Sequence, residues 1–297
     1  MFRIKSLVAS ALVFYMAIGA ASAADRVKVV ASFSIVADLA KQVGGDLVDV
    51  SALVGANTDM HTFQPSPNDS KRLAGAQLVV INGLGLEGWA DRFVKASGYG
   101  GARLVASKGI KPLPGGDHGR YDPHAWQEVA NVKIYAGNIR DALAGIDPGN
   151  KAAYERAAQD YVKRLEALEA EIKSAFASIP KAQRRVITSH EAFTYFGDAY
   201  DIEFLAPQGI GGDAQASARD VARLIRQIKT ENIKAVFVES ISGQRLIDRI
   251  AKETGAVIGG TLYSDALSDS SGPAATYIDM MRHNTRLISA ALRGKNP

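Results

Sequence analysis

The sequence predicts an α/β protein: two Rossmann-like βα lobes with mostly parallel sheets, joined by one long backbone helix. Three observations lead there. Short β-branched runs alternate with amphipathic segments on both sides of the chain's middle, the pattern of βαβ units. A single helical stripe runs unbroken between the two halves, from about Asn150 to Ser178. The stretch LVVINGLGLEGWADRFVKASG in the first half is echoed in order and character by AVFVESISGQRLIDRIAKETG in the second.

In chain order, Val27 to Ala31 reads as a strand and Ile35 to Gly44 as a helix, with Ser34 as its cap and Gly44-Gly45 as its stop. Val48 to Val54 is the second strand, Asn68 to Ala76 a short helix, and Leu78 to Asn82 a fully apolar strand covered on both faces. Leu86 to Ser97 is again helical. The long helix follows Asp147-Pro148-Gly149 and ends before Pro180; at 1.5 Å per residue it spans roughly 40 Å. Tyr154, Ala157/Ala158, Tyr161, Leu165, Leu168, Ile172, Phe176 and Ile179 recur at steps of three and four and form one stripe. A stripe this short and rich in Tyr and Ala fits a strut across both lobes better than a coiled coil. Beyond it come a strand at Arg185 to Thr188, a helix at Glu191 to Tyr200 and a strand at Ile202 to Ala206. A helix at Ala218 to Thr230, a strand at Ala235 to Val238 and a helix at Gln244 to Thr254 follow. A strand at Ala256 to Leu262 and a helix at Tyr277 to Leu292 close the chain.

The first residues read as an export signal. Arg3 and Lys5 give a positive start, Ser6 to Gly19 is apolar and uncharged, and Ala21-Ser22-Ala23 offers a small-x-small cleavage site. That apolar run is short of the about 20 residues of a membrane span. The expected organisation is therefore a signal peptide at 1–23, an N-terminal lobe at 24–149, a linking helix at 150–179 and a C-terminal lobe at 180–297. There is no cysteine among the 297 residues, which closes off thiolate zinc sites, Fe–S clusters and thiol catalysis. It also leaves no thiol for a lipid anchor, so the expectation is a soluble periplasmic protein, and with no long apolar stripe left over for self-association, a monomer. The formal charge is +4; without Arg3 and Lys5, 33 basic residues face 31 acidic ones, interspersed along the chain. Such a balance gives no footprint for nucleic acid or for an anionic membrane surface.

Four of the residues able to ligate a metal stand in turn-like settings next to strand ends: His61 in MHTFQPSP, His124 in YDPHAW, His190 in ITSHEAF and Asp265 in LYSDALSD. Ligands in open α/β sheets bind outside the carboxyl ends of strands, and Pro65 and Pro67 stiffen the loop that carries His61. Read singly, His61 is also an ordinary loop histidine, His190 a helix cap or packing residue, and Asp265 a turn former. Taken together, three imidazoles and a carboxylate make the closed four-coordinate shell that Zn²⁺ prefers. Asp122 is a candidate acceptor for an imidazole N–H, or only a turn residue, and Glu239 is either a second such acceptor or a helix-entry acid. Trp126 shields the site or belongs to the core. His118 and His283 read as surface or packing residues. The run Gly209 to Asp213 lacks the Lys-Ser/Thr of a phosphate loop and reads as a connection.

On HTFQPSP, DPHAW, SHEAFTYF and LYSDALSD, and on its lobe–helix–lobe order, the mature chain resembles the periplasmic solute-binding proteins of zinc and manganese ABC transporters, the TroA-like and ZnuA-like group. The resemblance implies a metal in the cleft between the lobes, held by His61 and His124 from the first and His190 and Asp265 from the second. It implies a membrane permease as partner and no enzymatic turnover. Manganese-favouring members commonly have a carboxylate at the third ligand; His190 stands there instead and shifts the expectation to Zn²⁺, with Mn²⁺ as the alternative. Many zinc members carry a long His- and acid-rich loop before the DPHAW segment, and this chain has only Gly116-Asp117-His118-Gly119. Two other classes compete. A zinc hydrolase needs an open coordination position, and no HExxH is present. A periplasmic zinc chaperone would bind metal in the same way and hand it to other proteins.

Overall fold

The computed structural model describes residues 26–115, 121–207, 218–231, 233, 235–241 and 244–295. The export segment, His118 and the Gly209–Asp213 run lie outside the described residues. Two four-stranded parallel sheets form the two lobes. The first holds β1 (Val27–Phe33), β2 (Val48–Val54), β3 (Leu78–Ile81) and β4 (Ala102–Val105) in the order β2-β1-β3-β4. The second holds β5 (Arg185–Ile187), β6 (Glu203–Leu205), β7 (Ala235–Glu239) and β8 (Val257–Leu262) in the matching order β6-β5-β7-β8. Val29 pairs with both Val50 and Leu78 in the first sheet, and Ile187 with Leu205 and Val236 in the second. Since β3 and β7 take the same place in their sheets, the two echoing sequence stretches are equivalent units of the two lobes.

Helices α1 (Ser34–Gly44), α2 (Pro67–Ala74), α3 (Ala90–Ala96) and α4 (Val129–Ile146) accompany the first sheet. The strut α5 (Lys151–Ala177) packs on α1 and α4, and also on α6 (Thr194–Tyr200) and α9 (Tyr277–Leu292) of the second lobe. Helices α7 (Ala218–Glu231) and α8 (Gln244–Thr254) complete that lobe. The stripe of α5 from Tyr154 to Phe176 is buried as the periodicity requires. Arg184 secures its end, donating from Nη2 to Phe176 O in the last turn at 2.8 Å and from Nε to Ile179 O just beyond the helix at 2.9 Å. Among the described residues no helix is long and apolar enough to cross a membrane.

Several elements differ from the sequence expectation. Helix α4 and strand β4 were not expected at all. The helix expected from Leu86 begins only at Ala90, because the preceding turn follows another course. Gly83, Leu84 and Gly85 all have positive φ, and the buried Glu87 carboxylate accepts the Asn82 and Gly83 amides at 2.7 and 3.0 Å. Gly83 cannot be replaced cheaply, since a Cβ there would lie 2.4 Å from Val105 Cγ1. The helix expected from Glu191 begins at Thr194, for a reason that belongs to the site. Ser34 is not a cap: it is the first helical residue, and its hydroxyl accepts the Leu267 amide of the second lobe at 3.0 Å. Pro67 opens α2 behind a reciprocal Ser66–Asp69 capping box, which fixes the exit of the His61 loop.

Candidate metal centre

The two sheets turn their carboxyl ends toward one another, and the loops leaving those ends converge. His61 lies on the loop after β2, His124 on the long connection after β4, His190 three residues past β5 and Asp265 three residues past β8. One donor atom from each lies within 4.8 Å of the other three. The Asp265 carboxylate is the centre: Oδ2 is 3.0 Å from His190 Nε2 and 3.2 Å from His61 Nε2, and Oδ1 is 3.5 Å from His124 Nε2. His61 and His124 present their Nε2 atoms to each other at 3.4 Å. The His124, His190 and Asp265 side chains are at most 1% exposed, while His61 retains 8% and forms the outer edge.

Backbone geometry holds each histidine. Asp122 Oδ1 accepts the His124 amide at 2.9 Å and sits 2.7 Å from its Nδ1. Glu239 Oε1 accepts the amides of both Ser189 and His190, at 2.7 and 3.0 Å, while Oε2 lies 2.8 Å from His190 Nδ1. His190 O takes the Ala192 amide at 3.0 Å and the Thr188 hydroxyl at 3.1 Å rather than a helical partner, and α6 starts only at Thr194. Asp59 Oδ1 accepts the His61 amide at 2.8 Å. Glu191, next to His190, is exposed.

The two sides of the cleft are stitched together beside the site. Ser264 O accepts both Trp126 Nε1 and Gln127 Nε2 at 2.9 Å, and the Tyr277 hydroxyl donates to Trp126 O at 2.8 Å. The Tyr195 hydroxyl of α6 donates to Asp122 O at 3.0 Å. Behind the His124 loop, Asn82 donates to Pro123 O at 2.9 Å and accepts from the Tyr135 hydroxyl of α4 at 2.6 Å. Trp126 is buried, packing on Phe33 and against His124 as a core residue, and it also anchors the loop that carries Asp265. The Ser264 carbonyl and Tyr135 were missed in the sequence. A backbone acceptor has no side-chain signature, whereas Tyr135 would have followed from reading the α4 stripe. His283 lies in α9 against Tyr263 and Thr261 O, away from the cluster.

Three carboxylates, Asp122, Glu239 and Asp265, are buried here, and among the described residues their ion-pair partners are imidazoles. Burial pushes the Asp265 carboxyl up, but His124, His190 and His61 more than reverse this and hold it well below the usual range. Burial likewise opposes a charged His190, and Glu239 and Asp265 outweigh it, raising His190 well above the ordinary imidazole range. His61 is raised too: burial lowers it, and its contact with Asp265 prevails. The cluster thus holds protons where a cation could replace them. Both Asp265 oxygens, both His190 ring nitrogens and Glu239 Oε2 are buried and lack an aligned hydrogen bond despite their short contacts. Inward-facing, unaligned donors of this kind fit a divalent cation, whose bonds radiate from one point.

The family model described as zinc-uptake complex component A, periplasmic, matches residues 29–291. The iron-binding protein YfeA of Yersinia pestis is 34% identical over 269 residues, covering 90% of this chain and 86% of that protein. The manganese-binding lipoprotein MntA of Bacillus subtilis is 34% identical over 281 residues, covering 92% of each. Among solved structures, the periplasmic zinc-binding protein TroA of Treponema pallidum matches with a TM-score of 0.85 at 29% identity, over 90% of this chain and 99% of that one. A manganese-bound periplasmic metal-binding protein from Candidatus Liberibacter asiaticus matches with a TM-score of 0.81 at 31% identity, over 89% and 99%.

Proposed function

Because the chain belongs to the ZnuA family of periplasmic metal-uptake components, we propose that it captures one Zn²⁺ outside the cytoplasm and delivers it, as a monomer, to the permease of an ABC transporter. Proteins of this family are substrate-binding subunits that work with a membrane permease, and they are not enzymes. In this reading the metal is cargo, held by Nε2 of His61, His124 and His190 and by the Asp265 carboxylate. The convergence of those four donors on one buried point carries the proposal. A shell with four protein ligands leaves no position for an activated water, which argues against hydrolysis.

Zinc is favoured by the donor set. Three imidazoles and one carboxylate match a borderline-soft ion that accepts tetrahedral geometry, whereas Mn²⁺ favours oxygen-rich octahedral shells. The relatives' names span iron, manganese and zinc, so the ligands rather than the names support the choice. A manganese or mixed carrier is the second reading, supported by the three buried carboxylates in and behind the shell, which suit a harder ion. Chelator-stripped protein titrated with Zn²⁺ and Mn²⁺ in direct competition separates the two. The expected result is one zinc per chain, held at least about tenfold more tightly than manganese, as the order of divalent affinities at nitrogen-rich sites implies. Equal or tighter manganese binding makes the protein a manganese or mixed carrier.

A further inference from the structure

We propose that Glu239 is the positioning residue that turns His190 into a metal donor, by keeping its ring proton on Nδ1 and leaving Nε2 for the cation. This deepens the carrier reading and rests on it. Glu239 lies at the carboxyl end of β7, fully buried, and its ion-pair partner among the described residues is His190. A buried carboxylate without a Lys or Arg partner costs stability, so a requirement on His190 explains its presence better than packing does. Both oxygens have assignments. Oε1 is held by the Ser189 and His190 amides, which places Oε2 2.8 Å from Nδ1, within reach of a hydrogen bond though not aligned as one in the metal-free geometry. A carboxylate oxygen accepts the N–H that faces it, so the ring proton given up to an incoming cation is the one on Nε2, while Nδ1–H stays.

The first lobe repeats the device. Asp122 Oδ1 takes the His124 amide and also faces His124 Nδ1, at 2.9 and 2.7 Å. The His61 loop carries half of it, since Asp59 takes the His61 amide. One carboxylate holding a histidine's own amide and lying within 2.8 Å of its Nδ1, once in each lobe, is an arrangement for orienting imidazoles. Such partners also strengthen the ligating nitrogen, and their loss lowers metal affinity by about 10–100-fold.

Glu239→Gln is the informative substitution. Its amide oxygen can still accept the two backbone N–H groups, but its NH₂ then faces Nδ1 and drives the His190 proton onto Nε2, toward the metal. Zinc affinity is expected to fall by about 10–100-fold while the unfolding temperature of the stripped protein stays close to wild type. In a His190→Ala background the same change should cost less than about threefold, because its effect passes through His190. An unchanged affinity for Glu239→Gln, or an equal loss with and without His190, overturns the proposal. Nitrogen-15 NMR of the zinc-loaded wild type decides independently of how the variant folds. A proton on His190 Nδ1 with Nε2 on the metal is expected, and metal on Nδ1 overturns the proposal. If the wild type binds no divalent metal, the carrier reading itself fails, a result distinct from any of these.

Discussion

Asp265→Asn is expected to weaken zinc binding by at least about 100-fold. The carboxylate is the point on which all three imidazole Nε2 atoms converge, at 3.0–3.5 Å, and it is fully buried. Asparagine preserves the volume and one acceptor oxygen but removes the charge that offsets the cation. Breaking a buried charge pair by removing one partner costs about 3–5 kcal/mol, and each 1.4 kcal/mol is tenfold in affinity. Its loop is tied independently through Ser264 O and through Leu267, so the variant should keep the wild-type far-UV spectrum. Isothermal titration with a competing chelator measures the change. A loss below about tenfold would remove Asp265 from the ligand set.

Zinc affinity is expected to fall as pH falls, and the stabilisation that zinc confers should shrink with it. In the metal-free protein His190 and His61 are raised above the ordinary imidazole range, because their contacts with Glu239 and Asp265 outweigh burial. Zinc binding near neutrality must therefore expel at least one proton, about 1.4 kcal/mol of affinity per pH unit per proton. The sign for the metal-free fold is the opposite. Groups with raised pKa stabilise it fully below the unfolded imidazole value, about 6.5, and that contribution disappears as pH rises through their folded values. Asp265, held low, contributes above its unfolded value, about 3.9, and loses this only as pH falls toward its folded value. The gap between zinc-loaded and stripped protein thus widens from acid to neutral pH, reaching about 4 kcal/mol at a free zinc concentration 1,000 times the dissociation constant. Calorimetric unfolding of both forms between acid and neutral pH tests it. A constant gap would mean that no histidine changes protonation on binding.

Much of this architecture was legible because it is written in periodicity. The buried stripe of α5, the apolar β3 and β7 and the stiff turn at Pro65-Ser66-Pro67 each carry a local physical signature. His190 and Asp265 stood out because each lies three residues beyond a strand end, where parallel sheets leave their loops, and His61 and His124 because they sit in proline-stiffened turns. Helix α4 escaped notice although Val129, Val132, Tyr135, Ala136, Ile139 and Leu143 keep helical spacing, since Gly137, Gly145 and several polar residues dilute the stripe. Strand β4 is four residues long and largely exposed at the sheet edge, too short to show alternation. The delayed start of α6 was not readable at all. It depends on the His190 carbonyl, which would accept the first bond of such a helix, taking the Ala192 amide and the Thr188 hydroxyl instead. Glu239 likewise read as an open choice between orienting acid and helix-entry acid until the fold placed it behind His190.

One divalent cation is expected to sit among three imidazoles and a carboxylate. X-ray absorption at the zinc edge, on stripped protein reloaded with one equivalent of Zn²⁺, reads that shell directly. Four ligands are expected, with three imidazole nitrogens at about 2.0–2.1 Å and carboxylate oxygen at about 2.0–2.2 Å. A shell with fewer than three imidazoles, or one completed by exchangeable water in place of Asp265, would contradict that expectation.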